Sequence, residues 1–333
     1  MTAMNAAPLL AISDLGISIA AADAVWTLVD SVNLEVGASE VLGLVGESGS
    51  GKSLTLRSIT RLLRPPLRCS GTVRWRGVNL MDLPERQLNT IRGREIAMIF
   101  QEPATALNPV LTVGEQIRES LRTHNGLDGE ACRRRAIELL DHVGIPAASS
   151  RVDDYPHQFS GGMRQRAMIA IALAPSPKLL LADEPTTALD VTIQDQILKL
   201  ILRLKAELGM SVVLVTHDLG VIAQSCDRVA VMYAGRVVEQ APVATLLREP
   251  RHAYTRGLLE SLPMVGHARR PLRPIAGAPP GPDDRPPGCG FSPRCRYVTE
   301  ACREAPPPLV DLGGGHLSAC LHHARLAAEA ARP

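Results

Sequence analysis

The run Gly46-Glu47-Ser48-Gly49-Ser50-Gly51-Lys52-Ser53 constrains this chain more than any other stretch. It fits the template G-x-x-x-x-G-K-[ST], and its flanks suit it. Val41-Leu42-Gly43-Leu44-Val45 is a short apolar run, the kind a buried strand needs; Leu54-Thr55-Leu56-Arg57-Ser58-Ile59 reads as the first turns of a helix. A glycine-rich bend between strand and helix turns several backbone N–H groups toward one point, beside the positive end of the helix dipole. Such a bend binds a polyphosphate such as ATP. Gly46, Glu47, Ser48, Gly49, Ser50 and Gly51 form the cradle, Lys52 reaches the β- and γ-phosphates, and the Ser53 hydroxyl ligates Mg²⁺. The bland alternative is a glycine-rich turn that matches by chance, and the flanking strand and helix weigh against it.

The chain has 333 residues, room for one large domain with an appendage or for two domains. Hydrophobic residues make up 45% and aromatics only 3%, so the core must come from Val, Ile, Leu, Ala and Met. A net charge of +2 argues against a dedicated nucleic-acid binder. Met1 to Leu10 has no basic flank and does not read as a signal peptide. No run approaches the roughly 18 apolar residues of a membrane helix. The expectation is a soluble, cytosolic protein whose membrane connection comes through a partner.

Short β-like runs occupy Leu9 to Arg76, and Ile96-Ala97-Met98-Ile99-Phe100 is a further buried-strand candidate. From Leu111 to Val143 the pattern turns helical, with Ile137, Leu140 and Val143 on one face and Arg133, Arg134 and Glu138 elsewhere. Lys178 to Asp183 and Ser211 to Thr216 read as central strands of a mostly parallel sheet, with a long helix from Ile193 to Leu208 between them. Strands alternating with helices indicate an α/β layer fold. After about Pro250 the composition changes. Pro271 to Pro308 is dense in Pro and Gly and suits neither long helices nor a central strand.

Leu179-Leu180-Leu181-Ala182-Asp183-Glu184 is an apolar strand ending in two carboxylates. Asp183 is placed to hold Mg²⁺, and Glu184 to orient and deprotonate an attacking water. Phe159-Ser160-Gly161-Gly162-Met163-Arg164-Gln165-Arg166 opens a helix from Met163 to Leu173. Ser160 is a good N-cap, and the glycines admit an anion to the N–H groups. An ordinary capped helix explains that run equally well. His217 follows the strand Ser211 to Thr216 and can hydrogen-bond a γ-phosphate; Gln101, after Ile96 to Phe100, can touch Mg²⁺ or water. Seen alone, both would be dismissed as structural.

Together these pieces resemble the ATP-binding subunits of ABC transporters. The order matches over about 170 residues: Gly46 to Ser53, Gln101, Phe159 to Gln165, Asp183-Glu184, Ala188-Leu189-Asp190, His217. The resemblance implies an α/β P-loop fold with a parallel-sheet core, an N-terminal antiparallel β subdomain and a helical signature subdomain. It also implies that Ser160, Gly161, Gly162 and Met163 of one subunit close on ATP held by another, with Asp190 linking the two sites. Gln101 would sense the membrane subunits as well as the metal.

The runs Met98-Ile99-Phe100-Gln101-Glu102-Pro103, Ala182-Asp183-Glu184-Pro185-Thr186-Thr187-Ala188-Leu189-Asp190, His252-Ala253-Tyr254-Thr255-Arg256-Gly257-Leu258-Leu259, Pro286-Pro287-Gly288-Cys289 and Pro293-Arg294-Cys295 look like the dipeptide/oligopeptide/nickel importer branch. Met163 and Thr186-Thr187 resemble the first of that branch's two ATPases, the D subunit. The implied partners are two integral-membrane permease subunits, a second ABC ATPase (a sibling or the same chain) and, indirectly, an extracytoplasmic solute-binding protein. Nucleic acid is not among them. The implied location is the cytoplasmic face of the inner membrane, held peripherally. Two departures stand out. Met163 replaces a common Gln, and the aromatic that stacks on adenine is missing near Ile19. Trp26, the nearest aromatic, could take that role if the preceding loop bends back, and otherwise reads as a packing residue.

Seven cysteines are unevenly placed: Cys69, Cys132 and Cys226 are scattered, while Cys289, Cys295, Cys302 and Cys320 crowd the end with five, six and seventeen residues between them. Zinc sites favour closer pairs. Four thiolates suit a [4Fe–4S] cluster, and the resemblance points the same way, with Zn²⁺ as the alternative. Either would hold together a segment expected to lack a core of its own. The resulting division is an ATPase domain at 1–250, its helical subdomain at about 103–175, and a four-cysteine extension at 251–333. The activity implied is Mg²⁺-dependent ATP hydrolysis driving uptake of di- or oligopeptides or a related small solute such as nickel. The rivals are a soluble ABC ATPase acting on nucleic acid or ribosomes, and a metal-held nucleic-acid module built on tail arginines such as Arg269, Arg270, Arg273, Arg285, Arg294, Arg296 and Arg303. The chain lacks the long coiled-coil insertion or second cassette of the first rival, and the tail lacks the stacking aromatics of the second.

Overall fold

The computed structural model describes residues 7–20, 24–187, 189–261 and 273–330. Residues 1–6 and Ala188, Arg269 and Arg270, named above, lie outside them. Twelve strands are found among the described residues: β1 (Leu10–Ala20), β2 (Val25–Val36), β3 (Val41–Val45), β4 (Leu67–Trp75), β5 (Val78–Asn79), β6 (Ile96–Ile99), β7 (Leu179–Asp183), β8 (Ser211–Thr216), β9 (Arg228–Tyr233), β10 (Arg236–Pro242), β11 (Val310–Asp311) and β12 (Leu317–Ser318). The chain forms two compact units, one of Met1–Val36, Leu42–Met81 and Thr216–Pro333, the other of Gly37–Val41 and Asp82–Val215.

The first unit holds an antiparallel sheet in the order β2-β1-β4-β5. Its inward positions alternate as a sheet with one buried face requires: Leu10, Ile12, Leu15 and Ile17 on β1, Val32, Leu34 and Val36 on β2, Val73 and Trp75 on β4. The two-residue period slips once on β1, at a bulge between Ile12 and Leu15. Trp26 corrects the expectation of a packing residue. It lies directly across the ladder from Ile19 and is 40% exposed.

In the same unit β3 pairs in parallel with β9, which pairs antiparallel with β10, followed by β12 and β11. Every residue of β3 is buried, as a parallel strand covered on both faces must be. The expectation of a coreless tail is overturned here. Phe291, Tyr297 and Leu326 are buried in one cluster with Tyr233 and Tyr254. The rings of Tyr233, Tyr254 and Phe291 lie 4.5 to 5.4 Å apart, centroid to centroid. Of three Phe and four Tyr in the chain, four sit here, so the scarce aromatics are concentrated under the C-terminal segment. Packing of that density contributes a few kcal/mol on its own. The proline-rich stretch itself, over its described part, carries no helix longer than Ala301–Glu304.

The second unit is built on the parallel pairs β6–β7 and β7–β8, with Ile96 beside Leu179 and Asp183 beside Val215. The helical run expected from Leu111 to Val143 is two helices. Val113–Asn125 begins with a capping box between Thr112 and Glu115, and Gly129–His142 begins at Asp128, whose carboxylate accepts the Gly129 N–H at 2.7 Å. Of the expected face Leu140 and Val143 are buried and Ile137 only partly, and Cys132, Ala136 and Leu139 complete the buried stripe. Two further helices, Gly161–Leu173 and Val191–Leu208, each start two residues earlier than the apolar pattern alone suggested. Their N-caps Ser160 and Asp190 satisfy first-turn N–H groups that periodicity does not see.

Candidate functional site

In the first unit, residues 46 to 51 join β3 to the helix Lys52–Ile59. The bend demands glycine at two points. Gly51 has φ +98°, and a Cβ there would lie 2.9 Å from Val29 Cγ2; at Gly46 a Cβ would lie 2.2 Å from the Met232 carbonyl oxygen. Lys52, 5% exposed, folds back into the bend. Its Nζ donates to the carbonyls of Gly46 at 2.7 Å and Glu47 at 2.8 Å, and to Ser50 Oγ at 3.3 Å. The ammonium is therefore held within the curve of the loop, at the start of a helix whose second residue is Ser53. That is the arrangement an anion requires. The Ser50 carbonyl accepts from Gly235 N–H at 3.1 Å, which ties the loop to the β9–β10 turn.

Glu47 is held by residues that the motif does not contain. Its N–H donates to the Tyr254 hydroxyl at 2.9 Å, and both its carboxylate oxygens accept from Arg294 Nη1, at 3.1 and 2.9 Å. Burial opposes the Arg294 charge, but hydrogen bonds to Glu47 and Tyr233 outweigh it and hold the guanidinium above its ordinary value. The sequence reading missed this network. A signal was present: Glu47 is the one carboxylate in an anion-binding bend, and such a charge calls for a cation.

In the second unit Asp183 ends β7 fully buried. Glu184, next, takes a left-handed turn at φ +46°, and its N–H donates to the Val215 carbonyl at 3.0 Å. Its Oε2 accepts from Thr187 Oγ1 at 2.7 Å and from Gln101 Nε2 at 3.4 Å. Two residues chosen separately from the sequence, Gln101 and Glu184, are thus brought together, and Thr187 joins them. Ser160 is the exposed N-cap of its helix, with Oγ accepting from Met163 N–H at 3.3 Å. Gly162 lets that helix approach its neighbour, since a Cβ there would lie 3.0 Å from Ile193 Cγ2. Asp190 caps Val191–Leu208 through Ile193 N–H at 2.9 Å and is exposed. His217 belongs to the first unit, exposed just after β8.

Cys289, Cys295, Cys302 and Cys320 line one small hollow of the first unit, together with His252, Phe291 and His322. Burial pushes the Cys295 thiol up to about 11 and raises Cys289 and Cys320 as well; the neighbouring thiols add to the effect. Among the described residues no three of His, Cys, Asp and Glu gather closely enough to hold a metal ion. The geometry of the described residues therefore supports neither the expected [4Fe–4S] cluster nor its zinc alternative. The scattered Cys226 is pushed up to about 12 by burial.

The comparisons with known proteins fall on the same segments. Residues 29–187 match the ABC transporter family, and residues 238–302 match the oligopeptide/dipeptide transporter C-terminal region. A relative from Brucella abortus (strain 2308), named as a peptide import ATP-binding protein, is 51% identical over 319 residues, 95% of this chain and 96% of the relative. The chain belongs to the oligopeptide/dipeptide branch of the ABC transporter ATP-binding proteins. ABC ATPases hydrolyse ATP with Mg²⁺, and importer cassettes work as dimers with membrane permeases. Among solved structures, a dimeric ATP-binding cassette in a post-hydrolysis state, bound to ADP and Pi, is 32% identical with a TM-score of 0.63; it covers 70% of this chain and 98% of that one. A second, cbiO1 from Clostridium perfringens, part of the ABC transporter complex cbiONQ, is 26% identical with a TM-score of 0.62 over 73% of this chain and 91% of that one. Both carry the α/β P-loop ABC ATPase fold. Among the described residues no helix of this ABC subunit is long and apolar enough to cross a membrane.

Proposed function

We propose that this chain is the ATP-hydrolysing subunit of an importer that takes up di- or oligopeptides, or a related small solute, through membrane permease partners. The observation that carries the reading is the oligopeptide/dipeptide transporter C-terminal match at residues 238–302, a segment that a general nucleotide cassette has no need of. The same match weighs against a soluble ABC ATPase acting on nucleic acid or ribosomes. The chain would work at the cytoplasmic face of the inner membrane, paired with a second ATPase and two permease subunits, with a solute-binding protein delivering cargo from the far side.

Residues 1–250 form the ATPase domain on this reading and 251–333 the extension. The loop N–H groups and Lys52 hold the β- and γ-phosphates, and Ser53, Gln101 and Asp183 are the oxygen donors for Mg²⁺, a set of hydroxyl, amide and carboxylate that suits a hard cation. Bound Mg²⁺ neutralises phosphate charge. Glu184 takes the proton from the attacking water; Gln101 and Thr187 fix the orientation of its carboxylate. His217 hydrogen-bonds the γ-phosphate. Ser160, Gly161, Gly162 and Met163 face the nucleotide of the partner ATPase, and Asp190 joins the two sites. The exposure of Ser160 and Asp190 suits contact with a second subunit.

Cys289, Cys295, Cys302 and Cys320 would hold a [4Fe–4S] cluster. Four thiols lining one hollow, at sequence spacings wider than zinc pairs favour, motivate that choice. The cluster would cross-link the extension, adding to the aromatic core already there. The deciding experiment is uptake into proteoliposomes containing the permease pair, both ATPases and the binding protein. ATP-driven accumulation of labelled peptide, abolished by Lys52→Ala, is the expected result. ATP hydrolysis that no peptide or related solute stimulates, with no accumulation, would defeat the importer reading.

A further inference from the structure

Glu47 puts a negative charge inside a bend that must receive a polyphosphate. The chain answers it from a distance of 247 residues. Arg294 Nη1 reaches both Glu47 oxygens, at 3.1 and 2.9 Å, and also donates to the Tyr233 hydroxyl at 3.1 Å. Its Nε donates to the Ala276 carbonyl at 2.8 Å, and its guanidinium carbon lies 5.8 Å from the centre of the Tyr233 ring. With a side chain only 7% exposed, the arginine has little room to move. The Tyr254 hydroxyl, in the helix Ala253–Glu260, takes the Glu47 N–H at 2.9 Å. Glu47 is therefore held by backbone and side chain at once, from two separate elements of the C-terminal segment.

We propose that Arg294 is a positioning residue for ATP: it neutralises Glu47 and fixes the phosphate loop, so that the C-terminal segment is a working part of the nucleotide site. The proposal rests on the assignment of Gly46–Ser53 to the phosphates. Two physical effects follow. Without the arginine, an unmatched carboxylate stands on the bend that receives the phosphates and repels them. The loop also loses its outer brace, so part of the binding energy goes into ordering it.

The test is equilibrium binding of ATP to the full chain, reading Kd for wild type, Lys52→Ala, Arg294→Gln, Glu47→Gln and the double variant Glu47→Gln/Arg294→Gln. Arg294→Gln is expected to weaken binding about tenfold, and less at high salt, because the fault is an exposed like charge. Removing that charge in the double variant should recover most of the loss, an outcome that a purely structural role for Arg294 does not give. An unchanged Kd in Arg294→Gln, or a double variant no better than that single one, overturns the proposal. If Arg294→Gln loses its cooperative thermal transition, Arg294→Lys takes its place: it keeps the cation but not the forked donor and should weaken binding about threefold, and an unchanged Kd again overturns the proposal. If wild type and Lys52→Ala bind ATP equally, the phosphate-loop assignment fails first.

Discussion

The amide of Gln101 lies 3.4 Å from the Glu184 carboxylate, and the Thr187 hydroxyl holds the same oxygen at 2.7 Å. Two neutral donors fix the direction of that carboxylate, as a general base for a water requires.

Replacing Glu184 by Gln keeps the size and an acceptor for Thr187 but removes the base. ATP turnover of the assembled transporter should fall by roughly 10²- to 10⁴-fold while nucleotide still binds. Phosphate release assays with the partner subunits present measure this. Turnover at the wild-type rate would show that another group takes the proton.

Lys52→Ala removes the ammonium that the loop carbonyls hold in place. Loss of a charge-assisted contact to phosphate should cost at least about tenfold in ATP affinity. Calorimetric titration reads it directly, and an unaltered affinity rules out a phosphate role for this lysine.

His252 gives the fold a pH dependence with a definite sign. Burial holds its ring down to about 3 from an ordinary 6.5, and its Nδ1 accepts the Tyr254 N–H at 3.1 Å, so the neutral ring is the one that fits. The unfolded chain takes up this proton near pH 6.5 and the folded one does not. His252 is therefore fully compatible with folding above that pH, and stability is lost as pH falls from about 6.5 toward 3, by an amount on the order of a few kcal/mol. His252→Asn, which still offers an N-cap oxygen, should flatten the acid limb of a denaturation series. Parallel slopes for the two proteins between pH 4 and 6.5 would contradict this.

Glu239 is fully buried and receives three donors or partners: the N–H groups of Arg251 at 2.6 Å and His252 at 3.0 Å, and the His316 ring at 2.7 Å. Glu239→Ala strands all three inside the protein and should cost about 3–5 kcal/mol in urea denaturation. A loss below about 1 kcal/mol would mean that water replaces the carboxylate easily.

Protein purified without oxygen should show broad visible absorption from an iron–sulfur cluster, and Cys302→Ser should remove it together with the bound iron and sulfide. A colourless protein with stoichiometric zinc would reverse the choice between the two groups.

The phosphate loop, the paired acids at the end of β7, the signature helix and the capping serine were legible in the sequence for one reason. Each is set by residues adjacent in the chain: apolar runs of strand length, glycines at sharp bends, an oxygen just ahead of a helix. The helical pattern expected from Leu111 to Val143 is helical, but periodicity is blind to the break between Asn125 and Gly129, after which Asp128 caps a second helix. Only the tertiary structure decided what holds Glu47, which strand residue lies across from Ile19, and whether the proline-rich segment has a core. Arg294, Trp26 and Phe291 are ordinary letters until folding brings them to partners that local pattern does not specify. Contacts across 207 and 247 residues arise from packing and burial, which depend on the whole chain.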